Sequence, residues 1–252
     1  MITVDKSTCW LLNVIKEQTM RLVYFGIIAL TLTACATQSP LKGRKSIDQV
    51  PMYGGMNRSS VPRLKAADER LVEGSLRKYG NREKAAAELV ERGIRFYLQG
   101  DLAFAMKRFN QAWILNPDNP EVYWGFASVL KEQESYCEAM NMIDKSLSFG
   151  RYFTGLYADA GRIIVLCTVS DSSLSLDQRK KRLQRAETLY AEASRRDDNK
   201  GYVFASRATA CYWLGDYADA WRMVKKAREA GTPPQDEFLS MLRKKMPEPP
   251  TM

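Results

Sequence analysis

The sequence predicts an all-α protein built as a solenoid of helix-turn-helix units. Three observations lead there. From Arg63 onward apolar residues recur at helical spacing, and β-branched alternation long enough for a sheet is missing. Ala105 and Ala139 lie 34 residues apart, each opening a helix of similar pattern, and Ala186 and Ala220 are again 34 apart. A fixed period of that length marks stacked helical hairpins.

In chain order, the first element is an export signal over residues 1–34. Met20-Arg21 precedes an apolar stretch from Leu22 to Thr33, followed by small residues and Cys35. Twelve residues of helix reach only about 18 Å, well short of the ~30 Å hydrocarbon core, so a removable signal fits better than a transmembrane anchor. Leu32-Thr33-Ala34-Cys35 resembles the lipobox of bacterial lipoproteins. The resemblance implies cleavage before Cys35 and covalent lipid on its new N-terminus, with no other cofactor. Asp5 and Glu17 are unusual ahead of a signal, which places the expected translation start at Met20. Ala36 stands where bacterial lipoproteins kept in the inner membrane carry Asp, so the resemblance implies the periplasmic face of the outer membrane.

Residues 35–62 read as the lipidated cysteine and a flexible tether. They are rich in Pro, Gly, Ser, Gln, Asn and Lys, with Tyr53-Gly54-Gly55-Met56 expected as a loose turn. Such a coil spans about 30 Å and no more than about 100 Å when extended. A first amphipathic helix follows over 63–80, marked by Leu64, Ala67, Leu71 and Leu76, and Asn81 is placed to cap the next.

The solenoid occupies 81–233 as about four repeats. Its units resemble the tetratricopeptide (TPR) repeat, from about Ala86 to Pro233. The first carries Leu89, Gly93, Phe96, Gln99-Gly100-Asp101, Ala105, Phe109, Ala112, Leu115 and Pro117 at family positions. Gly93 and Ala105 let two helices approach closely, Gly100 supports the turn, and Pro117 ends the second helix. The second unit keeps Tyr123, Ala127, Tyr136, Ala139 and Ile143, but Ser146 replaces the usual alanine and its turn, Gln133-Glu134-Ser135, lacks glycine. The last keeps Phe204, Ala208, Gly215-Asp216-Tyr217, Ala220 and Ala227 and departs at Arg207, where the family is apolar. Ala139 and Ala186 are 47 apart, which puts about 13 extra residues in the third unit. Ser175 and Gln178 have capping-box spacing and mark its second helix. Residues 234–252 read as a capping helix, with Phe238, Leu239 and Leu242 on one face, and a tail.

Composition excludes several functions. The chain has no histidine, which removes Ser-His-Asp and Cys-His catalysis, imidazole metal ligation and histidine pH sensing. No Gly-rich loop leads into Lys-Ser or Lys-Thr, so a phosphate-binding P-loop is absent. An enzyme is not expected. The formal charge of +9 becomes +8 without residues 1–34, which carry three cations and two anions. Outside the cytoplasm a basic surface suits anionic lipid or an acidic protein rather than nucleic acid.

The TPR resemblance implies a groove lined by the first helices of successive repeats. Transferred to this chain, its partner-binding positions are Trp124, Ser128, Lys131, Arg162, Tyr202, Thr209, Tyr212 and Trp213. Aromatics beside cations suit a bound peptide. Arg179, Lys180, Lys181, Arg182 and Arg185 form the densest basic cluster, either a docking patch or a solvated helix face. Cys137 opens one helix and Cys167 ends the next. Those helices are expected to be antiparallel neighbours, which makes the pair a candidate disulfide; three small buried thiols, with Cys211, is the alternative.

The expected function is a membrane-anchored periplasmic adaptor or scaffold for another protein, with the assembly of an envelope machine as its setting. The alternatives are an immunity protein neutralising a periplasmic toxin and, less favoured, an envelope hydrolase.

Overall fold

A computed structural model describes Ser46–Pro250, so the signal, Cys35 and the first ten residues of the expected tether lie outside the described residues. Ten α-helices and no strand occur among the described residues. They are α1 (Pro62–Tyr79), α2 (Arg82–Leu98), α3 (Leu102–Leu115), α4 (Pro120–Glu132), α5 (Tyr136–Ser148), α6 (Leu156–Ser170), α7 (Leu176–Arg196), α8 (Lys200–Trp213), α9 (Tyr217–Glu229) and α10 (Asp236–Lys245). None is long and apolar enough to cross a membrane.

Packing is consecutive. Helices α2 and α3, α4 and α5, α6 and α7, and α8 and α9 form hairpins, and each hairpin packs on the next. Side-chain caps set the starts: Asn81 accepts the Lys84 N–H, Asp101 the Phe104 N–H and Asp216 the Asp219 N–H. Ser175 and Gln178 complete a reciprocal capping box at α7.

The close approach of helices is built from aromatic rings on glycines. A Cβ at Gly93 would stand 2.6 Å from the Phe109 ring, one at Gly125 2.4 Å from the same ring, and one at Gly161 2.8 Å from Tyr190. No such contact tolerates a methyl group without shifting the ring. The family departures are also accommodated. The Ser146 hydroxyl, fully buried, donates to the Pro120 carbonyl at 2.8 Å, and Arg207 reaches Glu187 on α7 at 2.7 Å.

Most of the extra residues of the third unit become helix, and the rest lengthen the connections on either side of α6. Ala105, Ala139 and Ala220 are the fourth residues of α3, α5 and α9, whereas Ala186 is the eleventh of α7. The added residues thus prolong this hairpin by about two helical turns.

The tether expectation is corrected over Ser46–Val61. Three short 3-10 turns, Ile47–Gln49, Pro51–Gly55 and Arg58–Ser60, form a strap against α3 and α1. Tyr53 is 4 % exposed rather than part of a loose turn. The buried Asn110 of α3 explains why: its Nδ2 donates to the carbonyls of Asp48 and Val50 at 3.0 and 2.9 Å, and its Oδ1 accepts the Tyr53 N–H at 3.4 Å. The Arg58 guanidinium lies 3.9 Å over the Tyr53 ring and pairs with Asp68 of α1 at 2.6 Å. These contacts hold Met52 and Tyr53 in left-handed backbone, φ 50° and 51°, a conformation that costs about 1–2 kcal/mol per non-glycine residue.

At the other end, α10 lays Leu239 and Leu242 on the last hairpin, and the Trp221 indole donates to the Met246 carbonyl at 3.0 Å. The apolar end of the final repeat is thereby covered.

Candidate functional site

A half-open cleft of about 550 Å³ runs along the first helices of the hairpins. Helix α2 contributes Tyr97 and Leu98, α4 contributes Trp124 and Lys131, α6 contributes Asp159 and Arg162, and α8 contributes Tyr202 and Thr209. The segment Thr232–Gln235 and Phe238 of α10 close one end. Trp124 and Lys131 are seven residues apart and so share a helical face.

Of the eight groove positions expected from the sequence, Trp124, Lys131, Arg162, Tyr202 and Thr209 line this cleft. The other three do not. Ser128 is 6 % exposed and buried within α4's packing. Tyr212 turns to the cap, with its ring 5.8 Å from Phe238 and 5.5 Å from Trp213. Trp213 stands outside the cleft, 41 % exposed.

The cations that stand beside these aromatics are paired within the fold. Arg162 Nη2 donates to Asp159 Oδ1 at 2.5 Å, and the Tyr202 hydroxyl donates to the same oxygen at 2.5 Å. Trp124 Nε1 donates to Asp159 Oδ2 at 2.8 Å. One buried carboxylate thus ties α4, α6 and α8 together. Lys131 pairs with Glu132 at 2.6 Å, and the Tyr97 hydroxyl accepts from Lys131 and donates to Glu132, at 3.2 and 2.7 Å.

The electrostatics follow from this pairing. Burial opposes the Arg162 charge, but the surrounding oxygens of Tyr202 and Asp159 outweigh it and raise its pKa. Burial, with Arg162 nearby, lowers the pKa of Lys131 although Glu132 opposes the change. Burial and Asp159 push the Tyr202 phenol upward, so it stays a donor. The cleft is a set of matched ion pairs and aromatic walls, with Leu98, 76 % exposed, at its edge.

Asp159, Tyr97, Asp197 and Phe238 were missed in the sequence reading. Asp159 carried a signal: it is the one acid in the otherwise apolar run of α6, and a buried acid there requires partners.

The basic cluster is largely committed within the fold. Arg179 donates to the carbonyls of Thr168 and Asp171 at 2.7 and 3.2 Å, Arg182 pairs with Asp171 at 3.5 Å, and Arg185 with Asp144. Cations at the start of α7 oppose its own dipole, yet Arg179 and Arg182 lie against the C-terminal end of α6, where positive charge is favoured. Lys180 and Lys181 complete the cluster beside these three.

Cys137 of α5 and Cys167 of α6 are joined in a disulfide, with Cα atoms 4.7 Å apart. Cys211 is a buried free thiol, its pKa pushed up to about 12 by burial. No group of three or more His, Cys, Asp or Glu side chains among the described residues is arranged to hold a metal.

This geometry defines the class: an all-helical stack of hairpins with an aromatic cleft bridged by ion pairs. A scan against protein-family models finds no match for the chain, and a search of curated proteins finds no significant match.

Proposed function

We propose that this chain is a lipid-anchored periplasmic adaptor that holds a peptide segment of a partner protein in the cleft between its hairpins. The observation that carries the reading is the cleft itself. Four successive first helices present aromatic and apolar surface around hydrogen-bonding groups, a combination suited to an extended or helical peptide. The matched ion pairs hold Trp124 and Tyr202 in place before a ligand arrives, which lowers the ordering cost of binding. The cleft carboxylates Asp159 and Glu132 serve as structural partners, which favours binding over hydrolysis.

The TPR-like spacing supports the peptide reading, and Leu32-Thr33-Ala34-Cys35 supports the anchor. The Cys137–Cys167 disulfide is in keeping with an oxidising compartment. Lipid on Cys35 would hold the protein at the outer membrane, with the strap as the point where the chain joins the folded part.

Site-specific photocrosslinking in envelopes tests the reading. A crosslinker at Leu98 or Thr209 should capture a partner polypeptide, and one at Lys180 should not. Capture from Lys180 alone, or from neither cleft position, rejects the cleft as the binding surface. Labelled palmitate that remains incorporated after Cys35→Ser rejects the anchor.

A further inference from the structure

Two buried polar atoms in residues lining the cleft have no hydrogen-bond partner among the described residues: Arg162 Nε and Asp197 Oδ2. Asp197 is 1 % exposed. Its Oδ1 accepts the Gly155 N–H at 3.0 Å and the Tyr152 hydroxyl, but neither donor carries a charge. The cations nearest in sequence make their hydrogen bonds elsewhere, although the Arg196 guanidinium lies 5.7 Å over the Tyr152 ring. Arg195 and Arg196 pair with Glu192 at 2.6 and 3.0 Å, and Lys200 Nζ donates to the Ser194 carbonyl at 2.6 Å. Asp197 follows the C-terminus of α7, where the helix dipole disfavours a negative charge, while its Oδ1 faces Gly155 at the N-terminus of α6, where the dipole favours one; neither helix end supplies a full positive charge.

The remaining charges of the cleft cancel in pairs, Lys131 with Glu132 and Arg162 with Asp159. Asp197 is therefore the unbalanced one, and a buried carboxylate without a cation is costly to keep.

We infer that the missing cation comes from the ligand: the cleft takes a peptide bearing a lysine or arginine side chain, whose charge sits against Asp197. The orphaned Arg162 Nε–H offers a donor to a peptide carbonyl, and the Trp124–Tyr202 wall takes the flanking apolar surface. This rests on the peptide-binding reading above and names the chemistry of its ligand. It runs opposite to the acidic partner that the net basic charge of the chain suggests.

The test uses arrays of acetylated, amidated octapeptides probed with the purified full chain, followed by solution titration of the retained ones. Retained peptides should require one lysine or arginine. Replacing that residue by acetyl-lysine or citrulline should weaken binding about 30-fold or more, the scale for removing one partner of a buried charge pair. Asp197→Asn keeps an acceptor for Gly155 and Tyr152 and should bind lysine and acetyl-lysine peptides alike. Retained peptides with no lysine or arginine requirement overturn the inference and leave the peptide cleft standing, whereas an array with no retained peptide rejects both. An undiminished lysine preference in a folded Asp197→Asn protein also overturns it. Should that variant not fold, the lysine and acetyl-lysine comparison on the unaltered protein decides alone.

Discussion

Glu134 occupies, in the second hairpin, the turn position that Gly100 occupies in the first, 34 residues earlier, and it takes the same left-handed backbone. Its φ is 60°, against 77° at Gly100 and 81° at Gly215. A side chain there carries a steric penalty that glycine avoids. The turn forms anyway because Ser135 N–H is held by the Leu130 carbonyl at 2.9 Å, as Asp101 N–H is by Phe96 at 3.0 Å. Glu134→Gly should therefore stabilise the fold by about 0.5–1 kcal/mol, the steric relief exceeding glycine's extra unfolded entropy. Thermal melting of the two proteins measures it, and a lowered midpoint would show that the strain is absent.

Asn110 is the α3 side chain that binds the strap, through Asp48, Val50 and Tyr53. Asn110→Ala leaves those groups without their partner and should cost about 1–3 kcal/mol. The same change should open residues 46–61 to trypsin at Arg58 while α2–α10 stay resistant. Unchanged cleavage at Arg58 would mean that packing and the Arg58–Asp68 pair hold the strap without Asn110.

Alkaline pH should weaken the docked strap. Burial raises the Tyr53 phenol from 10.0 to about 12. Its contribution is complete below pH 10 and is lost as pH rises toward 12, because only the unfolded chain releases the proton in that window. The melting temperature should fall between pH 10 and 12, and Tyr53→Phe should flatten part of that fall. Identical slopes in both proteins would remove Tyr53 from the account.

The disulfide joins the second hairpin to the third across a separation of 30 residues. Closing a loop of that size restricts the unfolded chain by about 3–4 kcal/mol. The double change Cys137→Ser and Cys167→Ser should lower denaturant stability by that order, and dithiothreitol should reproduce the loss. Cys211, with its thiol pushed up to about 12, should resist alkylation at pH 8 until the protein unfolds. Peptide mass spectrometry after a timed iodoacetamide pulse reads both cysteine states.

Much of the fold is legible in the chain because its information is local. The 34-residue period, the caps at Asn81 and Ser175, and the small residues Gly93 and Ala105 all act within one hairpin or between neighbours. Five of the positions transferred from the TPR resemblance line the cleft, and helical spacing explains why Trp124 and Lys131 share a face. Tyr212 lies outside the cleft because its ring packs on Phe238 of the cap and Tyr217 of the following helix, and Trp213 stands edge-on to Tyr212.

The amino-acid sequence by itself determined that the chain forms helices, that they repeat as hairpins, and where α1, α2 and α7 begin. Those outcomes follow from spacing, capping and the size of side chains. Only the tertiary structure decided how the charges pair and what the strap does. Whether Arg162 is free or bound depends on Asp159 and Tyr202, and whether Tyr53 is buried depends on Asn110, 57 residues away. Composition reports such charges as separate, and it is folding that brings them within hydrogen-bond reach. For the same reason Asp197 emerges as the unmatched group only when the cations nearest in sequence are seen to make their hydrogen bonds elsewhere.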